Sequence, residues 1–231
     1  MLPSRRSLSR LASIRLRRRS AGTSFPGSEA YWVDRYAGGG SSGRGSYGIY
    51  AEFKAEVLNA FIVEHGVTSV IEFGCGDGNQ LSLGVYPRYR GFDVSEHAVA
   101  ACRALFSDDE SKSFAPLADY AGEKADLVLS LDVIYHLVED EIFDSHMRTL
   151  FGAAERFVII YSSNSDDLRR SYKSHVRHRR FTDWIGDNLL NWNLQERIAN
   201  PHRGTGFWRG RPESEPAFFV FEKAVIHCAD R

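Results

Sequence analysis

The residues best suited to chemistry are glycines and carboxylates in one short segment after a run of apolar residues. The run 69–73 is followed directly by Gly74-Cys-Gly-Asp-Gly78, and Glu72 stands just before the first glycine. Glycine tolerates positive φ and has no Cβ, so this segment can turn sharply and let a ligand approach the backbone. Its spacing is G-x-G-x-G, whereas a dinucleotide-binding loop has G-x-G-x-x-G. Glu72 and Asp77 would repel a pyrophosphate and favour a cationic ligand, such as an ammonium or a sulfonium.

A further carboxylate stands at the end of the next predicted strand. Asp93 lies seventeen residues after Gly76, within Gly91-Phe-Asp-Val-Ser95. At that position of an open parallel sheet, a carboxylate can accept hydrogen bonds from both ribose hydroxyls of an adenosine group. The alternative is a glycine-rich turn beside an unrelated surface acid. Together the glycines, Glu72 and Asp93 predict a pocket for a cationic adenosyl ligand.

Histidines and a tyrosine are the candidates for proton transfer. Tyr135 and His136 follow the fourth predicted strand, where a histidine can act as a general base near neutral pH. The alternative is a histidine at a helix start that binds backbone. His175 and His178 are three residues apart in a predicted helix over 168–190 and would share its face. They belong either to a basic helix face in solvent or to a cap over the acceptor site. No third ligand accompanies them, so no metal site is predicted.

The elements that must position these residues alternate along the chain. Apolar and β-branched runs predict strands, and apolar residues at helical spacing predict helices. The predicted strands are 69–73, 89–94, 113–117, 125–131 and 156–162, the predicted helices are 51–64, 95–106 and 139–154, and 194–199 with 217–223 form a late strand pair. This order predicts a Rossmann-like, doubly wound, mostly parallel seven-stranded sheet with helices on both faces and a C-terminal antiparallel strand pair.

Three segments together resemble the class I S-adenosylmethionine-dependent methyltransferases, of the bacterial stand-alone small-molecule type. Segment 70–79 resembles the first motif of that family, 91–95 the motif that follows it, and 127–137 the fourth-strand motif. The resemblance covers roughly residues 51–163. It implies S-adenosylmethionine as cofactor, with the ribose on Asp93, the methionine side lined by Leu131 and Asp132, and the adenine amino group on Asp119. The implied cofactor residues are Glu72, Gly74, Cys75, Gly76, Asp77, Gly78, Asp93, Val94, Asp119, Leu131 and Asp132.

Composition divides the chain into three parts. Residues 1–28 are predicted to be a disordered basic tail, because the first twenty contain seven arginines and no acid. Residues 29–50 are rich in aromatics and glycine, which favours a lid or substrate loop over a plain linker. Residues 51–231 would be the methyltransferase domain, with a substrate cap within 164–215. The basic tail has three readings: a plain tail, an arm for nucleic acid or membrane surfaces, or an organelle transit peptide.

The remaining features bear on partners and compartment. No apolar run is long enough to span a membrane, and three cysteines are too few for a disulfide framework. A cytoplasmic protein is therefore expected, with organelle targeting as the alternative. The oligomeric state stays open, a homodimer included. Outside the tail the chain is acidic, which makes a nucleic-acid partner less favoured than a small molecule.

The function that these features favour is O-methylation of a small-molecule or sugar hydroxyl by in-line transfer, with a histidine as general base. One alternative is an RNA or protein methyltransferase that recruits its substrate through the basic arm. The absence of an Asn/Asp-Pro-Pro-Tyr/Phe tetrapeptide after the fourth strand counts against methylation of a base nitrogen. A second alternative is a non-catalytic scaffold that binds the cofactor, and a more remote third is a nicotinamide oxidoreductase.

Overall fold

The computed structural model describes residues 25–166, 173–202 and 215–224. Within them the α-helices are α1 (Ser28–Ala37), α2 (Gly48–Glu64), α3 (Glu96–Leu105), α4 (Asp140–Gly152) and α5 (Phe181–Asn188). The strands are β1 (Val70–Phe73), β2 (Tyr89–Asp93), β3 (Lys112–Pro116), β4 (Ala125–Leu131), β5 (Ala154–Ser162), β6 (Trp192–Ala199) and β7 (Ala217–Lys223). All but α1 fall on or beside the predicted segments.

The strands form one seven-stranded sheet in the order β3-β2-β1-β4-β5-β7-β6. Strands β1 to β5 are parallel, and β7 pairs antiparallel with both β5 and β6. The strand order reverses between β1 and β4, which leaves a crevice at the carboxyl ends of these strands. This architecture confirms the predicted doubly wound sheet with its late antiparallel pair.

Helices cover both faces of the sheet, because the central strands are apolar on both sides. On one face, Leu58 and Phe61 of α2 pack with the odd-numbered residues of β4, Leu127 and Leu129. On the other face, the core includes Met147 and Leu150 of α4 and Phe181 of α5. The sheet is therefore buried on both faces, and the loops at its carboxyl edge are positioned from both sides.

The predicted helix over 168–190 is wrong for the residues that the structure describes. Only Phe181–Asn188 is helical, and residues 173–180 follow an irregular path. The backbone N–H of Arg177 donates to the carbonyl of Tyr135 over 2.8 Å instead of to a carbonyl of its own segment. His175 and His178 therefore do not share a helix face. Residues 167–172 lie outside the described ranges.

The N-terminal segments differ from expectation in one respect. Ser28–Ala37 is a helix whose first residue is buried, although the sequence suggested a tail up to residue 28 and then a loop. The tail prediction for residues 1–24 and part of the predicted cap, 203–214, fall outside the described residues. Among the helices that are described, none combines the length and apolar character needed to cross a membrane.

Candidate active site

The glycine loop lies at the carboxyl ends of β1 and β2 and needs its glycines. Gly74, Gly76 and Gly78 have φ angles of 88°, 60° and 79°, a region that side-chain-bearing residues rarely adopt. A Cβ at Gly74 would overlap Val133, which follows β4. A Cβ at Gly78 would lie 3.0 Å from Phe106 and so pack beneath the loop. The loop is thus held between Val133, just after β4, and Phe106, just after α3.

Asp93 ties the end of β2 to this loop. One carboxylate oxygen accepts from the backbone N–H of Gly76 and the other from that of Ser95, each over 2.9 Å. The side chain is buried, and burial raises its pKa above the usual range for an aspartate. Each carboxylate oxygen has a second lone pair. The residue can therefore accept hydrogen bonds from a ligand without giving up its contacts with the loop.

Glu72 is a second buried carboxyl at the same place. Its Oε2 accepts from the Tyr89 hydroxyl over 2.7 Å. Burial raises its pKa to about 7, although the Tyr89 hydrogen bond and the charge of Lys54 act in the opposite direction. A positive charge placed beside Glu72 would favour its ionised form.

These residues open onto one cavity of about 340 Å³. Of the predicted cofactor residues, the structure places in its wall Glu72, Gly74, Cys75, Gly76, Asp77, Asp93, Val94, Leu131 and Asp132. Gly78, at the end of the loop, faces Phe106 and does not line the cavity. Asp119 is exposed and also outside the lining, where Leu117 and Tyr120 occupy the β3 end instead. The structure therefore does not bring Asp119 to the cavity with the other predicted residues.

Residues 28–47, which we call the covering segment, lie over the cavity. At its N-terminal end, Ser28 donates from its backbone N–H and its hydroxyl to the carboxylate of Glu139, over 3.0 and 2.5 Å. Further along, the backbone N–H of Ser42 donates to Asp77 over 2.8 Å, and the backbone N–H of Asp77 donates to the Ser42 hydroxyl over 3.0 Å. The Tyr47 hydroxyl also donates to Asp77. The segment is therefore attached to both sides of the cavity.

This attachment favours the ionised form of Asp77. Burial alone would raise its pKa, but hydrogen bonds from Ser42 and Tyr47 outweigh that effect and hold the pKa below its usual value. Its carboxylate is thus engaged with the covering segment, and a ligand would meet Asp77 beside the Ser42 hydroxyl.

His136 is the predicted base that lines the cavity. Its Nδ1 lies 2.9 Å from the carbonyl oxygen of His175. A carbonyl only accepts, so Nδ1 carries the proton and Nε2 has a free lone pair. Trp32 of the covering segment packs edge-on against the ring, with centroids 4.9 Å apart. Burial lowers the pKa of His136 to about 4, so the ring is neutral at physiological pH.

The other predicted catalytic residues lie behind this wall. Tyr135 is buried and donates its hydroxyl to Asp132 over 2.8 Å. His175 stacks on Tyr31, with centroids 4.3 Å apart. His178 is buried, with Nδ1 2.6 Å from the Ser163 hydroxyl. None of these three lines the cavity. Within the described part of the chain, no group of three or more histidines, cysteines or acids could hold a metal ion.

Neither family models nor the curated proteins include a match to this chain. Several solved structures match the chain in fold. The N-methyltransferase NodS from Bradyrhizobium japonicum WM9, with S-adenosyl-L-homocysteine, has a TM-score of 0.66 at 16% identity over 85% of this chain and 98% of its own. Magnesium protoporphyrin IX methyltransferase from Synechocystis PCC 6803, also with that ligand, has a TM-score of 0.59 at 17% identity over the same shares, 85% and 98%. The methyltransferase domain of bacterial CtHen1 has a TM-score of 0.58 at 19% identity, covering 74% and 97%. The chain has the class I methyltransferase fold.

Several residues in the wall of this methyltransferase-fold cavity were not predicted from the sequence. Lys54, Gln80, Trp32, Tyr36, Ser42 and His146 all line it. One signal could have identified Lys54. It stands between Phe53 and Ala55 in a helix with apolar residues on every side, where a lone lysine must be buried and therefore paired. The covering-segment residues lie within the predicted lid or substrate loop, 29–50, but no sequence pattern identified which of their side chains would line the cavity.

Proposed function

We propose that this protein transfers a methyl group from S-adenosylmethionine to a hydroxyl of a small molecule. The observation that carries the proposal is Asp93, a buried carboxylate tied to Gly76 at the cavity wall where the strand order reverses. Bound S-adenosylmethionine would supply an electrophilic methyl group on a sulfonium. Asp93 would accept hydrogen bonds from the ribose hydroxyls, which is the role that the resemblance implies for it.

The residues present fit that cofactor in charge. Five carboxyl groups line the cavity, those of Glu29, Glu72, Asp77, Asp93 and Asp132, against the single cation of Lys54. Such a wall favours a ligand with a sulfonium and an ammonium. Gln80 adds a further group, because its Oε1 is buried at the cavity without a hydrogen-bond partner among the described residues. An ammonium would satisfy this oxygen, which otherwise carries a desolvation cost.

His136 would receive the proton of the acceptor hydroxyl. Its Nδ1–H is held by the His175 carbonyl, which directs the Nε2 lone pair away from that contact. A histidine with a pKa of about 4 is a weak base toward a free hydroxyl. The acceptor oxygen becomes positively charged as its bond to carbon forms, and its proton then becomes acidic enough for such a base. A neutral His136 is therefore sufficient for O-methylation.

Binding of S-adenosylhomocysteine, measured by calorimetry, tests the cofactor assignment. Asp93→Asn should weaken binding by at least about tenfold, because the weaker acceptor replaces a charged one at two hydroxyls. Asp119→Asn is the matched control: that carboxylate is exposed and outside the cavity, so affinity should not change. Equal affinities for wild type and Asp93→Asn would contradict the assignment.

Turnover is tested on a panel of sugars, sugar nucleotides, catechols and RNA, with release of S-adenosylhomocysteine as the readout. Methylation of small hydroxyl compounds is the expected outcome. Methylation of RNA alone would favour the nucleic-acid alternative. Tight cofactor binding without turnover on any acceptor would favour a non-catalytic scaffold.

A further inference from the structure

Asp132, at the end of β4, has an unusual backbone conformation. Its φ of 60° is the one positive value at a non-glycine residue within 25–166, 173–202 and 215–224. Its backbone N–H donates to the Tyr161 carbonyl over 2.9 Å, so the conformation is fixed by the sheet. Backbone strain of this kind persists only where the surroundings enforce it, and it is concentrated at functional sites. The side chain lines the cavity.

Both oxygens of the Asp132 carboxylate are held in place. Lys54 Nζ lies 2.7 Å from Oδ2, and the Tyr135 hydroxyl donates to Oδ1 over 2.8 Å. Lys54 is fully buried, and its Nζ also lies 5.2 Å from the centroid of the Tyr161 ring. A buried ion pair seldom adds more stability than apolar residues of the same volume would. The pair is therefore better explained by a role in the cavity, which both residues line.

The covering segment closes over the same carboxylate. A Cβ at Gly45 would lie 2.9 Å from Asp132 Oδ2, so only glycine fits there without displacing the carboxylate. Asp132 is therefore enclosed by α2, by the β4 end and by the covering segment, and 12% of its side chain stays exposed. An ionised carboxylate can accept further hydrogen bonds but cannot donate one.

Two of the acceptor groups in the cavity wall, His136 and Asp132, belong to the end of β4 and the residues just after it. His136 offers its Nε2 lone pair, and Asp132 offers the remaining lone pairs of its carboxylate. A hydroxyl has one proton and can satisfy only one of them. An anionic group would be repelled by Asp132. Tyr135 connects the two acceptors, because its ring centroid lies 4.5 Å from that of His136 and its hydroxyl donates to Asp132. A molecule that satisfies both must therefore carry two donors close together.

We propose that the methyl acceptor is a vicinal diol or an amino alcohol, with one donor group bound by His136 and the other by Asp132. In this arrangement Lys54 and Tyr135 are positioning residues, which hold the Asp132 carboxylate in a fixed orientation. The proposal rests on the proposed function, and it narrows the acceptor class of the same site.

Binding to protein loaded with S-adenosylhomocysteine tests this proposal. The probes are 1,2-cyclohexanediol against cyclohexanol, and catechol against phenol, titrated by ligand-observed NMR. The diols should bind wild-type protein at least about tenfold more tightly than the matched mono-ols, because a mono-ol lacks the donor for a charge-assisted hydrogen bond to Asp132. Asp132→Asn should abolish this preference for diols over mono-ols, measured on protein saturated with S-adenosylhomocysteine. Asparagine tolerates positive φ, so the backbone can keep its conformation.

Lys54→Met separates positioning from a purely structural role. Methionine keeps the length of the side chain without its charge, so we expect a loss of diol affinity and little change for phenol, both measured on protein saturated with S-adenosylhomocysteine. A merely structural lysine would affect the diol and phenol alike. Lys112→Met is the matched control, because it removes another buried ammonium from an ion pair, with Asp109, that does not line the cavity.

The outcomes distinguish failure of the acceptor proposal from failure of the proposed function on which it rests. Equal binding of diols and mono-ols by wild-type protein, or binding of neither, would overturn the two-donor acceptor while the cofactor assignment stands. Failure of S-adenosylhomocysteine to bind wild-type protein would instead overturn the proposed function itself, and the acceptor proposal with it.

Discussion

At the residue scale, burial favours the uncharged form of two groups in the cavity wall, Glu72 and His136. The pKa of Glu72 rises to about 7 and that of His136 falls to about 4. Both shifts favour the neutral form, because a low-dielectric wall penalises charge. The cavity is therefore less charged than its residue types suggest. A cationic ligand would ionise Glu72, and it would leave His136 neutral and able to accept a proton.

The pKa of His136 predicts how turnover depends on pH. The base is neutral above about pH 4 and protonated below it, so its contribution to the rate should be constant near neutrality and fall as pH approaches 4. His136→Gln should reduce kcat by about a hundredfold or more and leave the affinity for S-adenosylhomocysteine unchanged. His178→Gln changes a buried histidine outside the cavity and should have little effect on kcat. Full activity in His136→Gln would show that another group takes the proton.

At the scale of elements, the sequence predicts what local patterns determine. Strands β1, β4 and β5 are buried on both faces, so their apolar runs identify them without knowledge of their neighbours. Two elements depend on distant contacts instead. Residues 173–180 look helical, but the backbone of Arg177 binds that of Tyr135. Helix α1 was missed because it packs on residues such as Glu139 and His175, more than a hundred positions away.

The contact between the glycine loop and the covering segment yields a prediction at the same scale. Gly76→Ala would place a methyl group 2.9 Å from the Tyr36 hydroxyl and onto that of Ser42, at a φ of 60°. The covering segment must then move, so amide hydrogen exchange at Ser42 should accelerate and affinity for S-adenosylhomocysteine should fall at least about tenfold.

Gly122→Ala is the control for this change. Gly122 also has a positive φ, 95°, but a Cβ there would meet nothing within 4 Å. Both substitutions share the backbone strain of alanine at positive φ, about 1 kcal/mol. Only Gly76→Ala should affect binding. If the two variants bind S-adenosylhomocysteine equally, the covering segment does not depend on this contact.

At the scale of the whole molecule, the sequence predicts the fold and one half of the cavity. The glycine loop, Asp93 and the β4 end are adjacent because parallel strands bring their carboxyl ends together. The other half comes from residues far apart in the chain. Lys54 and Asp132 are 78 positions apart, and their contact follows from how α2 packs on the sheet. Asp119 shows the limit of this reasoning: it lies just after β3, but it is exposed and does not line the cavity.

Because the cavity wall combines α1, α2 and the ends of β1, β2 and β4, a bound ligand should stabilise the whole fold. A ligand at about 100 times its Kd adds about 2.7 kcal/mol to the free energy of unfolding, which corresponds to a Tm increase of roughly 5–10 °C for a chain of this size. We expect this shift with S-adenosylhomocysteine, measured by calorimetry, and a smaller one for Asp93→Asn at the same concentration. NADH is the matched adenosine ligand with a pyrophosphate, which the carboxylates of Glu72 and Asp77 should exclude. An equal shift with NADH would mean that this wall does not select a cationic ligand, and it would revive the nicotinamide oxidoreductase alternative.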